Sequence, residues 1–105
     1  ASLDRNKMTE DLLAAARWLR AREDGNGKIA ATGFCYGGAA SNLLAGMMGE
    51  ELAAAAPFYG GATPSELVPR IKAAILIHHG ALDGRLAEGF PAQIAELERH
   101  GIIHE

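Results

Sequence analysis

Between residues 9 and 22 apolar side chains return at helical spacing. Leu12, Leu13, Ala15, Ala16 and Leu19 form one stripe, with Trp18 near its edge. Thr9 is placed to cap this helix, Glu10 and Asp11 add first-turn acidity, and Glu23-Asp24-Gly25-Asn26-Gly27 has the turn chemistry to end it. The pattern then shortens. Residues 28–32, Lys-Ile-Ala-Ala-Thr, predict a strand, and the small-residue stretch 39–48 predicts a helix. A second buried run covers 53–59 and is closed by Gly60-Gly61. Pro64 and Pro69 bracket a short helical turn around 66–71. Residues 73–79, Ala-Ala-Ile-Leu-Ile-His-His, form the clearest strand, and 80–84 follow as a loop. The last helix spans 87–100, with Pro91 in its first turn or two and Gly101 closing it; 102–104 open one more strand.

Strands alternating with helices over short loops imply the α/β class: a three-layer parallel sheet flanked by helices, with right-handed crossovers. No repeat, low-complexity tract or linker divides residues 1–105, so they belong to one domain. A parallel sheet of three or four strands would have two open edges, and parallel sheets normally cover or extend theirs. The chain also opens on a helix and closes on a strand just beginning. Together these predict a partial domain, the C-terminal half of a larger sheet, whose edges pair with further segments or with a second copy.

Composition narrows the function classes. Of 105 residues, 49% are hydrophobic and 22% charged, as in ordinary globular proteins. A net charge of −3 provides no basic footprint for nucleic acid or an anionic membrane. No apolar run reaches the ~18 residues that span a bilayer, and Asp4, Arg5, Lys7, Glu10 and Asp11 break up any leader-like start. The single cysteine has no internal disulfide partner, which suits a reducing cytoplasm.

That cysteine lies in the most informative segment, Gly33-Phe34-Cys35-Tyr36-Gly37-Gly38, between a predicted strand and a predicted helix. This order is the nucleophile elbow G-x-S-x-G with cysteine in place of serine. The glycines two before and two after Cys35 are expected where a Cβ would collide with the neighbouring strand or helix, while Cys35 itself takes a strained φ/ψ. The turn would lift the sulfur clear of the sheet and aim the Tyr36 N–H, at the positive end of the helix, toward a developing oxyanion. The competing reading is a buried structural thiol at a Gly-rich turn.

Asp83 follows the clearest strand, at the carboxyl end of the sheet where sites of open α/β folds assemble. It can orient a histidine and stabilise its protonated form, or it can be a solvated Asp-Gly turn residue; spacing leaves both open. His78 and His79 end that strand on opposite faces, His100 sits at a helix C-terminus and His104 in the nascent last strand. No pair has ligand spacing on a helix, so neither a metal site nor a cofactor is expected.

The blocks Lys28-Ile-Ala-Ala-Thr-Gly-Phe-Cys-Tyr-Gly-Gly38, Ala56-Pro-Phe-Tyr-Gly60, Ile75-Leu-Ile-His-His-Gly-Ala-Leu-Asp83, then Arg85 and Glu88-Gly-Phe-Pro-Ala92, resemble the dienelactone hydrolase (carboxymethylenebutenolidase) family. The resemblance implies an α/β-hydrolase fold, Cys35 as nucleophile, Asp83 as the acid of a triad, the Tyr36 N–H as one oxyanion donor, and Tyr59 on a loop lining the pocket. The implied substrate is a small-molecule ester or lactone, cleaved through a cysteine acyl-enzyme. It also implies that several strands, the second oxyanion donor and a glutamate beside the thiol precede Ala1. The catalytic histidine, in a Tyr-Pro-Gly-x-x-His-type segment, would follow Glu105. The 105 residues alone are then expected to turn over little or no ester. A thioesterase or peptidase-like enzyme on the same elbow, and a catalytically silent fragment, are the competing readings.

Overall fold

The computed structural model describes residues 5–79 and 84–105. Its elements are α1 (Arg5–Arg20), β1 (Ala30–Phe34), α2 (Tyr36–Met48), β2 (Ala54–Phe58), β3 (Ala74–Ile75) and α3 (Gly84–Arg99). Two 3₁₀ turns, Gly49–Glu51 and Ser65–Arg70, carry the chain between them. The strands lie parallel in the order β1-β2-β3, with Ala30 opposite Ala54 and Ala54 opposite Ala74. The ladder runs beyond the regular part of β3. The His78 N–H donates to the Pro57 carbonyl at 3.0 Å, and the Tyr59 N–H donates to the His78 carbonyl at 2.7 Å. On the far edge the Ile75 N–H donates to the Ile103 carbonyl, and the Glu105 N–H to the Ile75 carbonyl, each at 2.9 Å. The expected opening of a further strand at 102–104 is therefore real and lies parallel to β3, with His104 opposite Ile75.

Strands added in one direction by right-handed crossovers put every connection on the same face of a sheet. The core follows that rule. Ala55, Ala73 and Ile75, one face of the strands, pack with Ala45 and Met48 of α2, with Leu52, Val68 and Ile71, and with Leu97 and Ile102. Leu13 and Ala16 bring α1 onto the same cluster, and Arg17 reaches Glu51 at 3.3 Å to hold it there. Burying a leucine such as Leu52 stabilises by roughly 1.5–3 kcal/mol. The opposite face, carried by the even-numbered residues of β1–β3, bears no helix among the described residues.

Several boundaries differ from the sequence pattern. α1 begins at Arg5, so Thr9 lies inside it rather than capping it. Its buried stripe is narrow: Leu12, Leu13 and Ala16 are half-buried, whereas Ala15, Trp18 and Leu19 face solvent. Trp18 gains instead a guanidinium over its ring, that of Arg22 at 4.9 Å. β1 starts two residues later than the apolar run suggests and continues through Gly33 to Phe34, because those residues pair with Pro57 and Phe58. α3 starts at Gly84, which moves Pro91 to mid-helix. No described helix is long and apolar enough to cross a membrane.

Candidate active site

β1 ends at Phe34 and α2 begins at Tyr36, leaving Cys35 as the whole of the turn. Its backbone sits at φ 57°, ψ −113°, a conformation that a residue with a Cβ rarely adopts. The side chain is exposed. Hydrogen bonds fix the turn on both sides: the Cys35 N–H donates to the Phe58 carbonyl of β2 at 3.0 Å, and the Ala39 N–H donates to the Cys35 carbonyl at 3.1 Å. Amides of the first helical turn have no acceptor within the helix, and in α2 that turn begins at Tyr36, the residue after Cys35.

The glycines divide differently from the sequence expectation. A Cβ on Gly33 would lie 2.6 Å from the Gly37 carbonyl carbon and oxygen, so this position is closed, as expected. A Cβ on Gly37 would meet nothing within 4 Å, so that glycine is not required by sterics. The close approach falls one residue later. A Cβ on Gly38 would come 2.5 Å from the Phe58 carbonyl oxygen, since the helix start passes directly over the end of β2.

Tyr59 follows β2 and is the second non-glycine residue with positive φ, at 38°. It is 42% exposed, and its ring centroid is 6.2 Å from that of Phe34. Phe34 in turn stands 4.7 Å from Phe58, which stacks on the His78 imidazole at 4.1 Å and 7°. Four of the six aromatic residues of the chain, Phe34, Tyr36, Phe58 and Tyr59, thus gather at the carboxyl ends of β1 and β2, beside the thiol. The other histidines have contacts of their own. His79 Nε2 lies 3.5 Å from Gln93 Oε1 and His104 Nδ1 lies 2.8 Å from the Ile102 carbonyl, while His100 lies 3.8 Å from the Glu96 carboxylate. Asp83 lies outside the described residues. Among the described residues no group of three His, Cys, Asp or Glu side chains could hold a metal ion.

The model of the dienelactone hydrolase family matches residues 2–100. The chain belongs to the dienelactone hydrolase family. The same fold recurs in solved structures. The dienelactone hydrolase-like promiscuous phosphotriesterase P91, from metagenomic libraries, superposes with a TM-score of 0.82 at 34% identity, over 97% of this chain and 44% of its own. A protein named m3DLH superposes with a TM-score of 0.69 at 30% identity, over 95% of this chain and 48% of its own. The chain therefore spans less than half the length of either structure. No curated protein sequence matches it.

The match places the parallel sheet and its helices in an α/β-hydrolase fold, as the alternation of elements suggests. Residues around the elbow that sequence inspection passed over are Asn42 and Thr63, both buried. The Asn42 side-chain amide donates to the Gly61 carbonyl and the Thr63 hydroxyl donates to the Asn42 carbonyl, each at 2.8 Å. A lone Asn in a helix and a lone Thr in a loop carry no motif, and only the folded chain brings them together.

Proposed function

We propose that this member of the dienelactone hydrolase family cleaves a carboxylic ester or lactone through Cys35. The observation that carries the reading is the exposed thiol on a left-handed residue between a strand and a helix N-terminus. In the proposed reaction the thiolate attacks the carbonyl carbon and the oxyanion is received by the Tyr36 N–H. The carbon–oxygen bond to the leaving group breaks, a proton passes to the departing oxygen, and a thioester remains on Cys35. Water adds to that thioester, gives up a proton to the general base, and releases the acid with the thiol restored. Asp83 orients the base, which the family resemblance makes a histidine, and Tyr59 borders the acyl group.

A cysteine suits an activated leaving group, because a thiolate attacks readily but also departs readily from the tetrahedral adduct. Aryl and enol esters are accordingly the favoured class. Likeness to P91 over 97% of the chain supports a second reading, in which phosphotriesters are also accepted at the same thiol. The test is hydrolysis of a nitrophenyl ester and of a nitrophenyl dialkyl phosphate by the whole protein and by its Cys35→Ala variant. Loss of turnover by at least ~10³-fold in the variant is expected, and Asp83→Asn should lower kcat by about 10⁴-fold if it acts as the acid of a triad. Unchanged ester turnover in Cys35→Ala overturns the assignment.

A further inference from the structure

The strained elbow conformation is supported from outside residues 33–38 by the last residue of β2 and by the segment that follows it. Phe58 accepts the Cys35 N–H at 3.0 Å. A Cβ on Gly60 would fall onto the Ala39 nitrogen and the Gly38 carbonyl carbon, and within 2.7 Å of the Cys35 carbonyl oxygen. Gly60 is buried and presses its bare Cα against the elbow from below. Tyr59, at φ 38°, makes the bend that brings Gly60 there, and its own N–H is tied to His78. Beyond the bend, Asn42 holds the Gly61 carbonyl and Thr63 holds the Asn42 carbonyl, so the segment is laced to α2 about two turns along from the thiol.

We propose that residues 59–63 form a strap that positions the nucleophile, with Gly60 and Thr63 as positioning residues. The strap holds Cys35 in its left-handed conformation, so that the sulfur and the Tyr36 N–H open onto the same space. The inference rests on Cys35 being the nucleophile, but it concerns how that residue is held and can be tested without turnover. Strain at a functional residue persists only where the surroundings over-determine it. Here they do so through one backbone bond, one excluded Cβ and two side-chain bonds, of which the Thr63 bond is buried.

The experiment measures the rate constant for alkylation of Cys35 by iodoacetamide, with kcat and KM on an activated ester, in the folded protein. Gly60→Ala is expected to slow alkylation at least fivefold and to lower kcat at least tenfold, with KM within threefold. Gly25→Ala, whose added Cβ comes no closer than 3.8 Å to the Arg22 carbonyl, is expected to match the parent. A folded Gly60→Ala with unchanged alkylation and kcat overturns the proposal. If Gly60→Ala does not fold, Thr63 decides. Thr63→Val keeps the shape and loses the hydroxyl, and should slow alkylation at least threefold, while Thr63→Ser restores it. Thr63→Val alkylating at the parental rate overturns the strap. Ester turnover that survives Cys35→Ala would instead remove the proposed function, and the alkylation series would still judge the strap.

Discussion

The two faces of the sheet are made from the same strands and almost the same residue types, yet they meet different surroundings. The odd-numbered face, Ala55, Ala73 and Ile75, is nearly sealed beneath three helices and two 3₁₀ turns. The even-numbered face, Ala54, Ala56, Ala74 and Leu76, forms the floor of an open depression of about 420 Å³ with Ile103 at its edge. Alanine stands on both sides, so hydropathy does not distinguish them. What differs is crossover direction: a sheet extended one way by connections of one hand collects its helices on one side. Covering the other side takes polypeptide that enters from elsewhere. A side-chain bond on that face, from the Thr32 hydroxyl to the Ala56 carbonyl at 2.8 Å, joins strand to strand and not sheet to helix.

The widest contrast is expected between neighbours Ala73 and Ala74, of which the first is 1% exposed and the second is open. Ala73→Asp buries an uncompensated charge and should cost about 3–5 kcal/mol. Ala74→Asp should cost under about 1 kcal/mol. Urea denaturation of both measures the difference, and equal costs would break the distinction between faces. Next come Ile75 and Leu76. Ile75→Ala is expected to lose about 2–5 kcal/mol through lost burial and a residual cavity. Leu76, 43% exposed, should lose under about 1 kcal/mol. A Leu76 cost equal to that of Ile75 would sharpen the comparison in the opposite sense, by revealing a cover on the even face.

Smaller still is the rim. Arg17→Ala removes the exposed link to Glu51 that pins α1 to the packed side, and thermal unfolding should register at most ~1 kcal/mol. The least effect is expected at Asp24. Its hydrogen bonds with the Arg22 guanidinium hold its carboxyl below the usual carboxylate range. A carboxyl with a depressed folded pKa adds stability above its unfolded pKa and loses it as pH falls through the folded value. Both side chains are exposed, so water screens the pair and Asp24→Asn should leave the acid limb of a pH–stability profile nearly unmoved.

Much of this arrangement is legible in the sequence because it is local. The alternation of elements, the elbow order of strand, cysteine and helix, and the position of Cys35 at the apex all follow from residues within a few places of one another. Boundaries were less legible where partners are remote. Gly33 and Phe34 resemble a turn in sequence but are strand, since Pro57 and Phe58 lie alongside. The tight glycine after Cys35 is Gly38 and not Gly37, because the obstacle is the carbonyl of Phe58, twenty places further on. Leu19 fits the helical stripe by spacing and yet faces solvent, the core having been completed by Leu13 and Ala16. Asp83 remains a reading from order and resemblance alone.

The bond from Cys35 to Phe58 also has a consequence for when the turn at Cys35 takes its shape. Residues 33–38 emerge early during synthesis, but the group that fixes their geometry is made some twenty residues later, and the lacing through Asn42 and Thr63 later again. Until β2 docks, nothing outside residues 33–38 holds the Cys35 backbone at positive φ. Its geometry is therefore acquired on folding, in step with the pairing of β1 and β2. The rate at which an electrophile captures it during refolding will report the closure of that one strand pair, without any added probe.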